Sequence, residues 1–243
     1  MRWYWTFQCH FETDDRDDRV PCRAFAGAED AYDGRVLLVI DTSAGTSVAV
    51  VDPTTGRPLA ERSTEDSRRH AEVIGPFLAE VLTEAGTAPA DVTGVVAGMG
   101  PGPFTGLRVG IAAARTFAAA RGVPFLPIVS HDAVAADQSQ GGPFVVLTDA
   151  RRREVYWSAY DQTGTRIAGP GLAKPADLDE AIRASRPEAA GWDRVTVTSI
   201  PAWRLGSLAA DTLASGGSFA DDTPLYLRDP DVTMPGAPKR VKQ

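Results

Sequence analysis

Apolar positions first gather into a strand-length run at 36–41, Val-Leu-Leu-Val-Ile closed by Asp41. A continuous apolar run of that length reads as a strand. A turn at 42–46 holding Gly45 follows, then a strand at 47–52, the turn Asp52-Pro53-Thr54-Thr55-Gly56, and a third strand at 58–62. Ile74, Phe77, Leu78, Val81, Leu82 and Ala85 then recur at helical spacing. They predict a helix over 70–85, ended by Gly86, with Pro76 in its first turns. Next come a strand at 94–98, a Gly/Pro loop, a helix at about 107–121 ended by Gly122, and a strand at 123–128. A brief helix through Asp137 follows, with Ser130 as its cap.

The pattern then restarts. An apolar strand at 144–149 again ends on Asp, turns at 150–153, and leads into an alternating strand at 154–160. A turn at 161–164, a short strand near 166–168, a helix at 175–185 with Pro175 at its first position, a strand at 195–200 and a helix at 202–215 complete the second round, and 225–227 reads as a last edge strand. The order strand–strand–strand–helix–strand–helix therefore occurs twice. The expected class is α/β, two lobes, each a mixed sheet covered by helices, with the second lobe reduced. This duplicated βββαβα plan is typical of the actin, sugar-kinase and chaperone-ATPase superfamily. The expected lobes are 36–140 and 141–230, with a flexible tail at 231–243. Residues 1–35 keep neither period: Trp3, Tyr4, Trp5, Phe7 and Phe11 crowd one end, and an Asp/Arg mixture follows. They read as a disordered extension or as upstream sequence before a start at Val36.

Charge narrows the function. A net charge of −7 and a pI near 5.0 disfavour stand-alone binding to RNA, while leaving room for a local basic patch. Cys9 and Cys22 are the only cysteines. A disulfide framework or a cysteine zinc site in the main body is thereby excluded, as expected of a cytoplasmic protein. No apolar run reaches membrane-spanning length, and the acidic beginning, with Asp14, Asp15, Asp17 and Asp18, is unlike a signal peptide.

The densest motif is the Gly/Pro loop, Gly98 to Gly110. Gly100, Gly102 and Gly106 allow positive φ or close backbone approach, Pro101 and Pro103 stiffen the path, and Thr105 is placed to cap the next helix. The loop reads either as an anion cradle at a helix N-terminus or as a ligand-free turn. It lacks the Lys-Ser/Thr of a P-loop and the glycine spacing of a dinucleotide fingerprint. Asp41 and Asp149, each at a strand end, read either as magnesium-holding carboxylates or as hairpin caps. His10, His70 and His131 stand apart. His70, at a helix start, is expected to be exposed, and neither it nor His131 is expected to carry chemistry. No nucleophile–base–acid set has a supporting spacing.

Four segments carry a resemblance: Val39-Ile40-Asp41-Thr42-Ser43, the Gly/Pro loop with Gly100, Pro101, Gly102, Phe104, Thr105, Gly106 and Arg108, then 148–156, and Pro224-Leu225-Tyr226-Leu227-Arg228. Together, over roughly 36–228, they resemble the TsaB family. The resemblance implies an actin-like fold and a non-catalytic accessory subunit in the formation of threonylcarbamoyladenosine beside the tRNA anticodon. It implies a TsaD-like catalytic partner, a TsaE-like ATPase, tRNA met indirectly through the complex, and no intrinsic cofactor, ATP and Mg being used by the partners. Asp41, Thr42, Ser43 and Asp149 then become remnants of a phosphate site. ATP-binding relatives hold adenosine on a glycine-rich turn, and the matching junction here, Thr198-Ser199-Ile200-Pro201-Ala202, has no glycine. Pairing with TsaD, or with a second copy, is expected through the two N-lobe helices, at Phe77, Val81, Gly110, Ala113, Ala114 and Phe117. The alternatives are an ATP-dependent transferase or kinase of the same fold, and a metallopeptidase-like protein, which the lack of a paired-histidine metal motif disfavours.

Overall fold

The computed structural model describes residues 34–138 and 141–228, so the expected extension at 1–35, apart from Gly34 and Arg35, and the tail at 231–243 lie outside the described residues. Strands β1 (Val36–Asp41), β2 (Thr46–Val51), β3 (Pro58–Thr64), β4 (Val92–Gly98) and β5 (Phe125–Ile128) form one sheet in the order β3-β2-β1-β4-β5. Strands β6 (Phe144–Asp149), β7 (Val155–Tyr160), β8 (Arg166–Ala173) and β9 (Asp193–Thr196) form the other, in the order β8-β7-β6-β9. In each sheet the leading strand pairs antiparallel with its hairpin partner and parallel with a later strand: Val39 opposite Ala49 and Val96, Leu147 opposite Trp157 and Thr196. The duplication is thus present in the hydrogen-bonded topology, and the second sheet lacks only the counterpart of β5.

Both faces of β1 are covered, which is why it is apolar at every position. Val36, Leu38 and Ile40 meet helices α1 (His70–Glu84) and α2 (Phe104–Arg121) through Ile74, Val81, Leu107 and Ile111. Leu37 and Val39 meet α5 (Ala202–Ser215) through Leu205 and Ala209. At Gly206 α5 sits so close that a Cβ would lie 2.5 Å from Val51 Cγ2. Helix α3 (Ser130–Gln138) packs beside α5, and their cluster reaches Phe144, Val146 and Tyr160 of the second sheet. So α3 and α5 lie between the sheets, although α5 follows β9 in the chain. Helix α4 (Leu178–Ser185) covers the far face of the second sheet through Leu178 and Ile182. Among the described residues no helix is long and apolar enough to cross a membrane.

Several expected boundaries moved. Helix α2 starts at Phe104 rather than 107, because Pro103, extended at φ −61° and ψ 136°, is the N-cap residue; Thr105 is inside the helix and exposed, so it caps nothing. Helix α4 starts at Leu178 rather than Pro175, which lies in a turn closed by Asp177 N–H donating to the Lys174 carbonyl at 3.0 Å. Strand β8 runs on to Ala173, held by a bulged pairing with β7. Strand β9 is displaced toward the N-terminus, over Asp193–Thr196, where it pairs with Phe144–Leu147 of β6. The chain then leaves the sheet and buries Ile200 in the core. Leu225 donates one backbone bond to the Met99 carbonyl at 2.9 Å and forms no strand.

Candidate functional site

Asp41 ends β1 with 1% of its surface exposed. Its Oδ1 accepts from Ser43 N–H at 2.8 Å and Ser43 Oγ at 2.7 Å, and its Oδ2 from Ser130 Oγ at 2.5 Å. Ser130 Oγ in turn accepts from Gly100 N–H at 3.0 Å. Rather than capping its own helix, Ser130 therefore ties α3, β1 and the Gly/Pro loop together. Burial raises the Asp41 carboxyl pKa, with the Ser130 and Ser43 hydrogen bonds opposing it. A carboxylate so enclosed and so fully bonded has no face to offer hydrated magnesium.

The Gly/Pro loop lies on the turn after β1. Of its three central glycines only Gly100 has positive φ, +96°. Gly102 and Gly106 are needed for approach: a Cβ would lie 2.7 Å from the Ser43 carbonyl oxygen and 2.8 Å from that of Thr42. Thr42 Oγ1 donates to the Gly106 carbonyl at 2.7 Å and accepts from Gly110 N–H at 3.1 Å. Of the proposed phosphate remnants, Asp41, Thr42 and Ser43 are buried, Thr42 bonding the loop and Ser43 bonding Asp41, whereas Asp149 is exposed and accepts from Arg151 N–H at 2.9 Å as a hairpin cap.

A cavity of ≈ 260 Å³ opens between the lobes, lined by Ser43, Glu65, His70, Asp149, Arg151 and Thr198, among others. His70 is buried there, contrary to expectation, because its Nδ1 is 2.7 Å from Thr46 Oγ1 and its ring is packed over Gly106. Burial, and then the Arg151 charge, lower its pKa. Opposite the adenosine-loop position, Ser47 Oγ donates to the Ile200 carbonyl at 2.5 Å, folding the glycine-free junction onto β2. His131 is fully buried, with Nδ1 2.9 Å from Ser158 Oγ and Nε2 2.9 Å from Thr148 Oγ1. Burial, followed by the Arg166 charge, lowers its pKa to about 3. Among the described residues no three His, Cys, Asp or Glu side chains gather to hold a metal.

The expected pairing residues divide. Phe77, Ala113 and Phe117 are partly exposed on the outer surface of α1 and α2. Val81, Gly110 and Ala114 face the protein's own sheet instead, and a Cβ on Gly110 would lie 2.2 Å from Thr42 Oγ1. Of the motif residues, Phe104 carries the Arg108 guanidinium at 3.8 Å and lies 4.7 Å from the Tyr226 ring. Pattern reading placed Gly98, Ser130, His131 and the turn at 150–153, but it missed the close approach at Gly98, the Asp41 bond of Ser130, the buried bonds of His131 and the left-handed path of Arg151-Arg152-Arg153. Only the last had a local signal, three arginines in a hairpin turn of an acidic chain.

Two lobes of like topology, a cleft between them, and helices packed between the sheets define the chain as an actin-like two-lobed protein. The family model for tRNA N6-adenosine threonylcarbamoyltransferase (TsaD) matches residues 62–217. An uncharacterized Mycobacterium leprae protein is 42% identical over 147 residues, 59% of this chain and 40% of that one, so the match spans about two fifths of that longer relative. The tRNA threonylcarbamoyladenosine biosynthesis protein TsaB of Escherichia coli is 30% identical over 174 residues, 70% of this chain and 69% of that one. A Pseudomonas aeruginosa structure described as similar to peptidase YEAZ superposes with a TM-score of 0.62 at 30% identity, over 80% of this chain and all of that one. The chain belongs to the TsaB family within this wider group.

Proposed function

We propose that this chain is the accessory subunit of a tRNA threonylcarbamoyladenosine-forming complex, holding a TsaD-like catalytic subunit in its working state and performing no transfer itself. The name of the Escherichia coli relative supports the pathway. The observation that carries the non-catalytic part is Asp41. The carboxylate that closes β1 is 1% exposed and spends both oxygens on Ser43 and Ser130. The junction at the adenosine-turn position has no glycine and is tied to β2 through Ile200, which supports the same reading. ATP and magnesium then belong to the partners, including a TsaE-like ATPase, and tRNA reaches the chain within the complex. The partner surface is the partly exposed strip of Phe77, Ala113 and Phe117, which a second copy of this chain would use in the partner's absence.

Calorimetric titration of the full chain into the TsaD-like subunit of the same organism tests the reading. Saturable heat at one-to-one stoichiometry is the expected result. No heat, with or without nucleotide, removes the subunit role, and ATP turnover by the isolated chain removes the non-catalytic part.

A further inference from the structure

Three segments distant in sequence meet beside the start of α2: 102–105 of the Gly/Pro loop, 150–156 of the β6–β7 hairpin, and Tyr226 with Arg228. They enclose a cavity of ≈ 390 Å³ that no step of the proposed function uses. Residues 102–108, 149–156 and 226–228 hold five arginines against two carboxylates, in a chain whose net charge is −7. Glu154 is engaged by Arg228, and Asp149 caps its own turn. The local field at the cavity is therefore positive, although the molecule as a whole is acidic.

The arginine turn is held at a cost. Arg151, Arg152 and Arg153 have φ of 64°, 53° and 62°, a left-handed stretch that glycine or asparagine would adopt more readily. All three are exposed, so packing does not explain the choice of side chain. Arg151 also lines the cavity between the lobes, beside Glu65 and Asp149, so the two cavities share that side chain as a wall. The other wall is aromatic: Phe104 against Tyr226 at 4.7 Å, with Tyr156 nearby. Guanidinium groups beside the partly exposed rings of Phe104 and Tyr226 match single-stranded nucleic acid, which offers phosphates to the one and bases to the other. An acidic peptide would use the charges and leave the rings unused.

We propose that this cavity binds single-stranded RNA directly, a backbone phosphate lying against Arg151 and Arg152 and a base stacking on Tyr226. The chemistry stands on the cavity alone; the identification of the strand as part of the tRNA rests on the proposed function.

The test is fluorescence anisotropy of the full chain with a 5′-labelled, mixed-sequence RNA of about ten nucleotides, at roughly 50 and 200 mM salt. Binding should weaken with salt. Arg152→Glu and Tyr226→Ala should each weaken it about tenfold, with unchanged circular dichroism. Arg183→Glu, the same charge change at an exposed position on α4, should weaken it far less. Absence of binding, equal losses for Arg152→Glu and Arg183→Glu, or equal competition by polyglutamate would each overturn the proposal. Calorimetry of Arg152→Glu with the TsaD-like subunit separates the two readings, because that pairing should be intact. Pairing without RNA binding sinks this site alone; RNA binding without pairing sinks the accessory role alone.

Discussion

Gly98 shows how tightly single residues are fixed around Asp41. A Cβ there would lie 1.7 Å from Asp41 Oδ2 and 2.7 Å from Ser130 Oγ, both buried. Neither neighbour is the free end of a flexible side chain, so Gly98→Ala should destabilise the fold by about 3 kcal/mol. Urea denaturation would show it as a lower midpoint at an unchanged slope; a shift within error would mean the Asp41 cluster is loose. Combined with Asp41→Ala, which removes the clashing carboxylate, the loss should be smaller than the sum of the single losses. Local sequence made Asp41 and the glycine loop visible, since an acid closing an apolar run and a cluster of Gly and Pro each break a pattern. It could not show that Ser130, 89 positions away, completes the Asp41 site, because a contact at that separation leaves no periodic trace.

At the scale of elements, helical and alternating periods located the long helices and both leading hairpins. What they missed has consistent causes. The start of α2 was set by the extended Pro103 and not by a capping hydroxyl, and β9 was placed by its pairing with β6 and not by its own apolar run. Composition also made α2 look apolar nearly all round, whereas the fold gives its small residues two different tasks. Ala114 and Gly110 seat the helix on its sheet, and Ala113 lies on the partly exposed side with Phe117. Ala113→Arg should therefore leave the melting temperature nearly unchanged and weaken calorimetric binding to the TsaD-like subunit by about tenfold or more, the loss typical of a disrupted interface anchor. Ala114→Arg should instead unfold the first lobe, because it drives a charge into a fully buried position. Undiminished pairing by a folded Ala113→Arg protein would place the partner on another face.

Across the whole molecule the lobes are joined by what lies between the sheets, and His131 is a fully buried polar link in that layer, beside the bonds of Asp132 to Tyr160 and Arg166. It comes from α3, which packs with α5, itself seated on the first sheet, and its ring bonds Thr148 of β6 and Ser158 of β7. A neutral ring can donate from one nitrogen and accept at the other, which suits two hydroxyl partners; a charged ring here is desolvated and faces the Arg166 charge. Folded His131 therefore takes up its proton only near pH 3, whereas an unfolded imidazole does so near 6.5. The folded value is the depressed one. The stability His131 contributes is complete above the unfolded value and is lost as pH falls through the window toward the folded one. Between pH 7 and pH 4 this should cost about 3 kcal/mol. Asp41 and Asp132 act in the opposite sense: burial raises their folded pKa, so their contribution is present below the unfolded carboxylate range and is lost as pH rises through the folded values. Those carboxylates are kept in His131→Gln, so the difference between the two proteins isolates the imidazole. Urea unfolding at pH 7 and pH 4 should show His131→Gln less stable than the parent at pH 7 but less sensitive to acid, by about the same 3 kcal/mol. Parallel acid losses in the two proteins would mean that water reaches the ring, and that the layer between the sheets is open where the packing closes it.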